Sequence, residues 1–479
     1  MSSPEAPATV LAPLCVDLDG TLVKSDTLID LLLVMVRTRP ELLLALPAQF
    51  LRGKASFKAF VTSHVTLDVK HLPYNHALLE FLHQERARGR ALYLVTGSDV
   101  HLAERVAEHL GIFTGVLASD GQVNLTGTRK LDRLRTQFAG AYAYIGNHTP
   151  DLPLLAHASE SMVANPSLRL RLKMRLKGIR PSRTFAEGTG PLAAAFKALR
   201  PHQWAKNLLI FLPLLLAHVA VPVRLLAALL AFFCFSFTAS ATYIANDLLD
   251  IEADRRHPRK RQRPFAAGDL SALTGAGMAL ALLIAAFVGA HFLPLAFTGW
   301  LLLYLGASLA YSWRLKRIAL VDVLVLSGLY TLRLYAGSAA TQSHISDWLA
   351  GFAVFLFFSL AMVKRFAELE NMRLSGSQPV NGRGYFVADA DQLRSFGTSS
   401  AFAAVMVFAI YISSSDVVML YRRAELLWLI VPLMILWLCR VWLLASRGEL
   451  DEDPLIFAFT DRMSLAIGVL VAAVAVLAI

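Results

Sequence analysis

The C-terminal part of the chain, residues 201–479, consists almost entirely of long apolar stretches separated by short polar loops. A helix that crosses a bilayer needs about 20 predominantly apolar residues, and most of these stretches reach that length. Hydrophobic residues make up 56% of the chain and charged residues 17%, whereas a soluble chain has roughly 45–50% and about 25%. The sequence therefore predicts an all-α polytopic membrane bundle and excludes a disordered, collagen-like or disulfide-rich protein.

Nine apolar segments are predicted as membrane spans. They lie at about 203–221, 223–249, 270–292, 294–312, 319–340, 347–371, 397–415, 424–445 and 461–479. Fifteen lysine and arginine residues fall in the loops on the side of the N-terminal half, against three in the loops on the other side. Because cytosolic loops carry the excess of basic residues, we expect a multi-pass protein of the inner (plasma) membrane with a cytosolic N-terminal half. Nine spans then place the C-terminus outside.

The net charge of +11 comes mostly from basic residues beside apolar spans, which argues against a nucleic-acid partner. The three cysteines lie far apart in the sequence and indicate neither a disulfide framework nor a zinc site. Residues 1–12 have no basic start and no long apolar core, so we expect a disordered lead rather than a signal peptide.

Residues 13–166 mix charged, polar and apolar residues as a soluble domain does. An apolar strand in LCVDLDGT, residues 14–21, ends in Asp17 and Asp19. Carboxylates at the carboxyl end of a parallel strand lie at the edge of the sheet where ligands bind. One of them can attack phosphorus and the other can transfer a proton.

Three further motifs follow this strand. ALYLVTGS at 91–98 is a second apolar strand that ends in Thr96, and GTRKLDRL then contributes Lys130. AYAYIGNHTPD at 141–151 is a strand with polar residues behind it, and SMVAN is a final strand before Pro166. This order resembles the haloacid dehalogenase-like hydrolases, in their phosphoserine-phosphatase-like branch, over about residues 10–166. The resemblance implies an α/β Rossmann-like phosphatase domain with a mostly helical cap at about 22–88.

The resemblance also implies roles for individual residues. Asp17 would be the nucleophile, Asp19 the general acid/base, Thr96 a hydrogen-bond donor to phosphate and Lys130 the charge stabiliser. Magnesium would be held by Asp17, the backbone carbonyl of Asp19, Asn147 and Asp151. The family's fourth motif usually has Gly-Asp where this chain has Gly146 and Asn147. Two interpretations stay open: an active site in which Asp151 compensates, or a domain that only folds or regulates.

A basic linker is predicted at 167–199, between the phosphatase domain and the membrane domain at 200–479. It contains LRLRLKMRLKGIRPSR, residues 168–183, which alternates apolar and basic residues and has no acidic one. Such a segment can lie on the membrane surface and bind anionic headgroups. Alternatively, it is a solvated linker whose charges precede a membrane domain.

The second predicted span runs into an acidic motif at its cytosolic end. In SATYIANDLLDIEADRRHPRKRQRP, residues 240–264, we expect Asn246 or Asp247, Asp250 and Asp254 to share one helix face. Carboxylates near lipid are costly, and clusters of oxygen ligands suit magnesium and phosphate. The cations that follow can bind a diphosphate. A simple juxtamembrane charge run would explain the arginines but not the acidic stripe.

These residues resemble the UbiA superfamily of membrane prenyltransferases. Five further segments share the resemblance: RPHQWAKN at 200–207, YSWRLKR at 311–317, AMVKRFAEL at 361–369, GRGY at 382–385 and DEDPLIFAFTDR at 451–462. Within it they look like the decaprenyl-phosphate phosphoribosyltransferase branch. The resemblance implies catalytic and magnesium-binding roles for Asp247, Asp250 and Asp254. It implies substrate-binding roles for Asn246, Lys206, Arg255, Lys260, Arg263, Tyr311, Lys316, Asp322, Arg333, Lys364 and Arg365. Alternatively, Lys364 forms an ion pair with Glu368, four residues later on the same helix face, and does not bind substrate.

The combined expectation is a bifunctional enzyme with one Mg²⁺ in each domain. The membrane domain would move 5-phosphoribose from phosphoribosyl diphosphate (PRPP) to a polyprenyl phosphate, and the phosphatase domain would remove the 5-phosphate. A prenyltransferase acting on an aromatic acceptor of quinone or haem biosynthesis is the second hypothesis, and a lipid-handling scaffold with decayed sites is the third. The sequence is compatible with a homo-oligomer but does not fix the oligomeric state.

Overall fold

A computed structural model describes residues 11–138, 141–218, 221–375, 384–450 and 453–479. Most of the predicted N-terminal lead, half of the GRGY motif and the first two residues of the DEDP motif lie outside these residues. The chain forms two compact units. One comprises the chain up to Leu199 together with Ile244–Met278, and the other comprises Arg200–Tyr243 together with Ala279–Ile479.

A six-stranded parallel sheet forms the centre of the first unit. Its strands are β1 (Leu14–Val16), β2 (Leu92–Asp99), β3 (Gly115–Ser119), β4 (Ala143–Gly146), β5 (Glu160–Ala164) and β6 (Arg183–Phe185). The spatial order is β3-β2-β1-β4-β5-β6, so the chain reverses its direction of winding between β1 and β4. In open sheets of this kind, ligands bind at that reversal, outside the carboxyl ends of the strands. The predicted α/β Rossmann-like fold is confirmed.

Alternate residues of the central strands point into two separate cores. Leu14 and Val16 belong to a core that includes the cap, whereas Cys15 between them belongs to a core with Tyr144 and Val163. Parallel strands covered on both faces are continuously apolar, which is why LCV reads as an unbroken apolar run. Cys15 is therefore a buried core residue, and burial raises the pKa of its thiol to about 12.

Helices cover the sheet and form most of the segment between β1 and β2, as predicted for the cap. The helices before the membrane part are α1 (Thr27–Thr38), α2 (Leu46–Leu51), α3 (Lys54–His64), α4 (His76–Ala87), α5 (Val100–Leu110), α6 (Thr128–Phe138), α7 (Leu152–His157), α8 (Leu168–Leu176) and α9 (Pro191–Leu199). Helix α1 begins where Asp26 accepts hydrogen bonds from the amides of Leu28 and Ile29. Such a cap satisfies two amides that lack partners within the helix.

The predicted linker at 167–199 is largely folded, which corrects its description as a linker. Helix α8 buries Leu170 and Met174 in the core that also contains Tyr144 and Val163. Strand β6 then pairs in parallel with β5, with Val163 opposite Thr184. The polar, three-residue strand was not predicted because it gains a partner only when the rest of the sheet is in place.

Long helices dominate the remainder of the chain. They are α10 (Leu212–Leu216), α11 (Pro222–Leu249), α12 (Ile251–Arg256), α13 (Ala272–Ala290), α14 (Leu295–Trp313), α15 (Val321–Thr341), α16 (Asp347–Ser375), α17 (Ala390–Ile412), α18 (Ser415–Leu420), α19 (Ile430–Ser446), α20 (Pro454–Thr460) and α21 (Arg462–Ala478). Seven helical segments of the described chain are long and apolar enough to cross a bilayer. Helices α20 and α21 make an eighth if the pair, bent by 80°, counts as one span.

The prediction of nine spans is wrong at its first member, 203–221. The described part of that segment consists of a 3-10 helix, Pro201–Phe211, and the five-residue α10. Pro213 lacks an amide hydrogen and its ring would clash with an earlier carbonyl, which favours a break before it, and the structure has Pro213 at the second position of α10. The 3-10 segment instead packs on α15 at Gly337, where a Cβ atom would lie 2.2 Å from the carbonyl oxygen of Ile210.

Candidate functional site

Asp17 and Lys130 form a buried ion pair at the carboxyl edge of the sheet. Lys130 Nζ donates to Asp17 Oδ1 at 2.7 Å and to the Tyr144 hydroxyl at 2.9 Å. Thr21 Oγ1 donates to the other oxygen of Asp17 at 3.3 Å. β1 ends immediately before Asp17, and α6 carries Lys130 in its first turn. The structure therefore brings together the predicted nucleophile and the predicted charge stabiliser.

Burial and charge act in opposite directions on this pair. Burial raises the pKa of Asp17 to about 7, although the Lys130 ammonium opposes the shift. Burial alone would lower the pKa of Lys130, but Asp17 and Asp151 reverse the effect and hold it above its ordinary value. Lys130 thus stays cationic and can stabilise negative charge that develops beside Asp17.

Asp19 is oriented by hydroxyl groups from two elements. Thr27 donates to Asp19 Oδ1 from its amide at 2.8 Å and from its hydroxyl at 2.7 Å, while Ser98 Oγ donates to Oδ2. Thr96 Oγ1 accepts from the Ser98 amide at 3.0 Å, so the hydroxyl hydrogen of Thr96 remains available for a phosphate oxygen. Thr27 and Ser98 were not predicted as site residues, although Ser98 stands in the second motif.

Asn147 fits the predicted magnesium site. Its Oδ1 is a buried acceptor that finds no hydrogen-bond partner among the described residues. Gly20 has a positive φ of 73°, and a Cβ there would lie 1.9 Å from Asn147 Nδ2, so the amide lies directly over the Asp-x-Asp-Gly turn. Asp151 has a different part: its Oδ2 accepts from the amides of Asn147 and His148 at 3.2 and 3.1 Å.

Lys58 of the cap helix α3 also reaches this site and was not predicted. Its Nζ donates to the carbonyl oxygen of Gly97 at 2.5 Å and to Asn124 Oδ1 at 3.1 Å. Burial lowers the pKa of Lys58, while Asp19 and Asp26 act in the other direction. No sequence signal pointed to Lys58, because the residue lies in an ordinary helix far from the four motifs.

The segment that carries the acidic motif, residues 240–264, is here called the acidic segment. It departs from the predicted single helix. α11 ends at Leu249 and α12 begins at Ile251, with Asp250 at the junction. Arg263 Nη1 lies between two of the predicted carboxylates, 3.0 Å from Asp247 Oδ1 and 2.7 Å from Asp254 Oδ2. Burial raises the pKa of Asp254, and the Arg263 guanidinium opposes the shift.

Asp250 faces a different cation. Its Oδ1 lies 2.7 Å from Nη1 of Arg37, which belongs to α1 of the phosphatase domain and also donates to the carbonyl oxygen of Leu249. In the described parts of the chain, no group of three or more His, Cys, Asp and Glu side chains is close enough to hold a metal ion. Asp247 and Asp254 do converge on one positively charged nitrogen, as ligands of a cation must. These two carboxylates fit magnesium, whereas the structure turns Asp250 toward Arg37.

Several basic residues of the acidic segment bind the N-terminal α/β domain. Arg255 is buried and donates to Asp30 Oδ2 at 2.8 Å and to Ser25 Oγ at 3.0 Å. Arg256 donates to Asp68 Oδ2 at 3.0 Å. Arg255, predicted to bind substrate, therefore uses its guanidinium to hold the phosphatase domain. Asn246 directly precedes Asp247, and Lys260 follows Asp254 by six residues. Both side chains are half-buried.

In the second unit, two predicted lysines meet at one carboxylate that was not predicted. Lys206 and Lys364 donate to Asp453 Oδ2 at 2.8 and 2.9 Å, and Tyr330 donates to Oδ1 at 3.3 Å. Burial would raise the pKa of Asp453, but the two lysines hold it well below its ordinary range. Two positive charges against one negative charge leave this cluster a net charge that can bind a phosphate. Asp453 belongs to the DEDP motif at 451–454, but the sequence does not indicate a role for it.

Arg365 and Arg333 occupy different surroundings. Arg365 donates to Asp322, to Glu368 at 2.8 and 2.9 Å, and to the Tyr311 hydroxyl at 2.9 Å, so the local partner of Glu368 is Arg365. Arg333 donates to Asn207 Oδ1 at 2.8 Å, to the Tyr304 hydroxyl at 3.2 Å and to a backbone carbonyl. All these partners of Arg333 are neutral. Lys316 lies half-buried in the 3-10 turn Leu315–Arg317.

Each half of the chain matches a known protein family. The model of the UbiA prenyltransferase family matches residues 207–467, and that of the haloacid dehalogenase-like hydrolases matches residues 14–156. A Sinorhizobium fredii protein, "Uncharacterized protein y4nM", is 36% identical over 97% of this chain and 91% of its own. Decaprenyl-phosphate phosphoribosyltransferase of Mycobacterium tuberculosis is 36% identical over 47% of this chain and 76% of its own. A UbiA homolog from Archaeoglobus fulgidus bound to GPP and Mg2+ covers 59% of this chain and 99% of its own, with 18% identity and a TM-score of 0.46.

Proposed function

The chain belongs to the UbiA prenyltransferase family, and from this membership we propose that its membrane domain transfers 5-phosphoribose from PRPP to a polyprenyl phosphate and releases diphosphate. The observation that carries the proposal is the 36% identity to a decaprenyl-phosphate phosphoribosyltransferase, which extends over 76% of that enzyme. The acidic segment and the lysine pair at Asp453 supply the two kinds of group this reaction needs. They are carboxylates for a metal-bound diphosphate and cations for phosphates.

In this proposal the acidic segment holds the leaving diphosphate. Asp247 and Asp254 would be the main carboxylate ligands of magnesium, Asp250 would join them on release from Arg37, and Asn246 would add a neutral oxygen. Magnesium bound in each domain would neutralise the charge between phosphate oxygens and carboxylates. Lys260 and Arg263 would bind the diphosphate directly. Diphosphate departure leaves a cation-like anomeric carbon, which a phosphate oxygen of the lipid attacks.

The second unit has cations of its own that can bind a phosphate. The cluster of Lys206, Lys364 and Asp453 has the net positive charge to bind the ribose 5-phosphate or the lipid phosphate. Arg333 adds a buried charge whose described partners are all neutral, and intramembrane charges of that kind usually serve function. Lys316 would assist, while Tyr311 and Asp322 would act mainly by fixing Arg365.

The phosphatase domain would then remove the 5-phosphate, giving polyprenyl-phosphoryl ribose. Asp17 attacks phosphorus and forms an aspartyl-phosphate, while Lys130 at 2.7 Å stabilises the negative charge. Asp19, fixed by Thr27 and Ser98, protonates the leaving ribose oxygen and afterwards takes a proton from water. The helical cap excludes bulk water from this step. The product of the first reaction is a phosphomonoester, which is the substrate type of the second.

Both sites would face the cytosol, where PRPP is made. The fifteen-to-three distribution of basic residues supports this orientation. In bacteria the chain would then lie in the inner membrane, with the phosphatase domain on the cytosolic side. Its partners are the bilayer, PRPP and the lipid phosphate.

The test is transfer by the purified full chain in nanodiscs. The protein, magnesium, PRPP labelled in the ribose and polyprenyl phosphate are incubated, and the lipid fraction is analysed by mass. We expect a labelled lipid that requires magnesium and polyprenyl phosphate, with a mass that shows ribose without its 5-phosphate. Transfer of the polyprenyl chain from its diphosphate to an aromatic acceptor, with no label from PRPP, would contradict the proposal and favour a prenyltransferase of quinone or haem biosynthesis.

A further inference from the structure

Helix α8 has one face that is built into the phosphatase core. Leu170 and Met174, four residues apart, are buried there with Leu152 and Tyr142. Ser167 caps the helix by accepting a hydrogen bond from the Leu170 amide at 3.2 Å. The helix is therefore a fixed element of the domain, and the direction of its other face is fixed with it.

The opposite face carries a stripe of exposed leucines, here called the leucine stripe: Leu168, Leu172 and Leu176. Their side chains are 74%, 60% and 86% exposed. Residues four apart advance by only about 40° around an α-helix, so the three side chains form one continuous row. A single exposed leucine needs no explanation, but a row of three on a nine-residue helix marks a surface that meets an apolar phase or a partner.

Cations border this stripe on both sides. Arg171 and Arg175 fall on one flank of the row, and Arg169 and Lys173 on the other, and all four are exposed. The segment 168–183 has no acidic residue to balance them. An apolar row between two rows of cations matches the profile of a bilayer surface, with acyl chains beneath a layer of phosphates.

We propose that the leucine stripe and its flanking cations dock the phosphatase domain on anionic phospholipid headgroups. The leucines enter the boundary between headgroups and acyl chains, and the guanidinium and ammonium groups bind phosphates. The chain itself carries long apolar helices of the kind that cross a bilayer, so a membrane is present wherever this domain is. The inference stands apart from the proposed transferase and phosphatase activities, because it concerns only where the domain rests.

The four cations beside the leucine stripe favour a bilayer, rather than a second protein, as the surface that the stripe contacts. Four like charges around three leucines would require an equally acidic partner surface, whereas anionic lipid is present around every copy of a membrane protein. A membrane is also two-dimensional, so it can engage the stripe and both rows of cations at once. The solvated linker considered from sequence does not account for a helix whose other face is buried.

The test places a fluorescent probe on the stripe of the full chain, reconstituted as single copies in nanodiscs. The background is Cys439→Ser, since Cys15 and Cys234 are buried and Cys439 is exposed. Leu172→Cys is labelled with an environment-sensitive dye, and Gln84→Cys on α4 of the same unit is the matched exposed control. Quenching by doxyl-labelled lipid is measured in phosphatidylglycerol-containing discs, in phosphatidylcholine discs and in high salt.

In anionic discs, we expect quenching at position 172 to exceed that at position 84 by about twofold or more. It should fall in phosphatidylcholine discs and in about 1 M salt, where the screening length is only about 3 Å. Equal quenching at both positions would overturn the proposal. So would a blue-shifted probe at 172 without lipid quenching, because a segment of protein would then cover the stripe. Quenching that does not change with lipid charge or with salt concentration would overturn the role of the cations.

Discussion

Arg255 and Asp30 form a buried ion pair between two segments that are more than two hundred residues apart in sequence. Arg255 Nη1 lies 2.8 Å from Asp30 Oδ2, and the two side chains are 4% and 2% exposed. Asp30 lies in the first turn of α1, three residues after the Thr27 that holds Asp19. Arg255 directly follows Asp254. One ion pair thus connects the first turn of α1, beside Asp19, to the acidic segment.

Breaking this pair should loosen the acidic segment. Removing one member of a buried ion pair costs about 3–5 kcal/mol, because the other charge is left buried without a partner. We expect Arg255→Ala to increase amide hydrogen exchange in residues 251–270 by about a hundredfold and to lower transfer from PRPP. Exchange is measured by mass spectrometry on the full chain in nanodiscs.

The matched control for that experiment is the neighbouring Arg256→Ala. Arg256 binds Asp68 and Glu252, but it is 53% exposed, and exposed pairs contribute only about 0–1 kcal/mol. Exchange in residues 251–270 should change little in this variant. Equal effects of the two substitutions would show that the buried pair has no special part in ordering the segment.

Asp250→Ala should abolish labelling of lipid from PRPP while the chain stays folded in membranes. The acidic motif predicts a metal-binding carboxylate there, and its loss should leave less than about 5% of wild-type labelling at saturating magnesium. Arg37→Ala removes the other half of the Arg37–Asp250 pair and should retain at least about half of the labelling, since this partly exposed pair contributes little. Loss of labelling in both variants alike would mean that Asp250 acts only as the partner of Arg37.

Asp17→Ala should separate the two reactions. Labelled lipid should still form, but it should keep its 5-phosphate, because no other carboxylate of the motif can form the aspartyl-phosphate. Asp17→Asn should behave in the same way, and both are compared with Asp120→Asn in an exposed loop. Mass analysis of the lipid distinguishes the outcomes. The same dephosphorylated lipid from all variants would contradict the phosphatase assignment, and phosphorylated lipid from the wild type would show that the domain does not act on this substrate.

Asn147→Asp should lower the magnesium concentration that gives half-maximal phosphatase activity, by about tenfold. The substitution places a carboxylate oxygen where the structure has a buried acceptor without a described partner. The phosphorylated lipid made by Asp17→Ala is the substrate, and Gln122→Glu in an exposed loop adds the same charge as a control. An unchanged magnesium requirement in Asn147→Asp would remove Asn147 from the metal site.

Reporter fusions test the predicted orientation. A reporter at the N-terminus should be cytosolic, because fifteen basic residues lie on that side against three on the other. If the seven long helices are the only crossings, their odd number places a reporter after Ile479 outside. The structure makes this a sharp test, since counting the bent pair α20 and α21 as one span gives eight crossings. Cytosolic signals at both ends would establish an even number.

The sequence predicted the elements whose signal is local. β1, β2, β4 and β5 are apolar runs that end at polar motifs, so both the sheet and the edge that carries Asp17 could be predicted. The seven long helices were predicted for the same reason. The segment 203–221 was mispredicted because hydropathy registers its apolar residues and not the interruption at Pro213.

Pairs formed across long separations could not be predicted. Lys58, in the cap, donates to the carbonyl oxygen of Gly97. Lys206 and Lys364, which lie in helices far from each other in sequence, both donate to Asp453. Each of these side chains is an ordinary charged residue in its own segment, and only the fold gives it a partner. The same holds for the partner of Arg255: its position beside the acidic motif predicts substrate binding, and only the structure shows that its guanidinium pairs with Asp30.

The sixth strand decides where a soluble fragment of this protein can end. Because β6 ends at Phe185 and α9 begins at Pro191, only five residues of irregular chain separate the sheet from the next helix. At about 3.5 Å per residue, that stretch spans less than about 20 Å even when fully extended. A soluble phosphatase fragment ended at residue 166 would lack an edge strand and one wall of its core. The short stretch also keeps α9 close to the edge of the sheet.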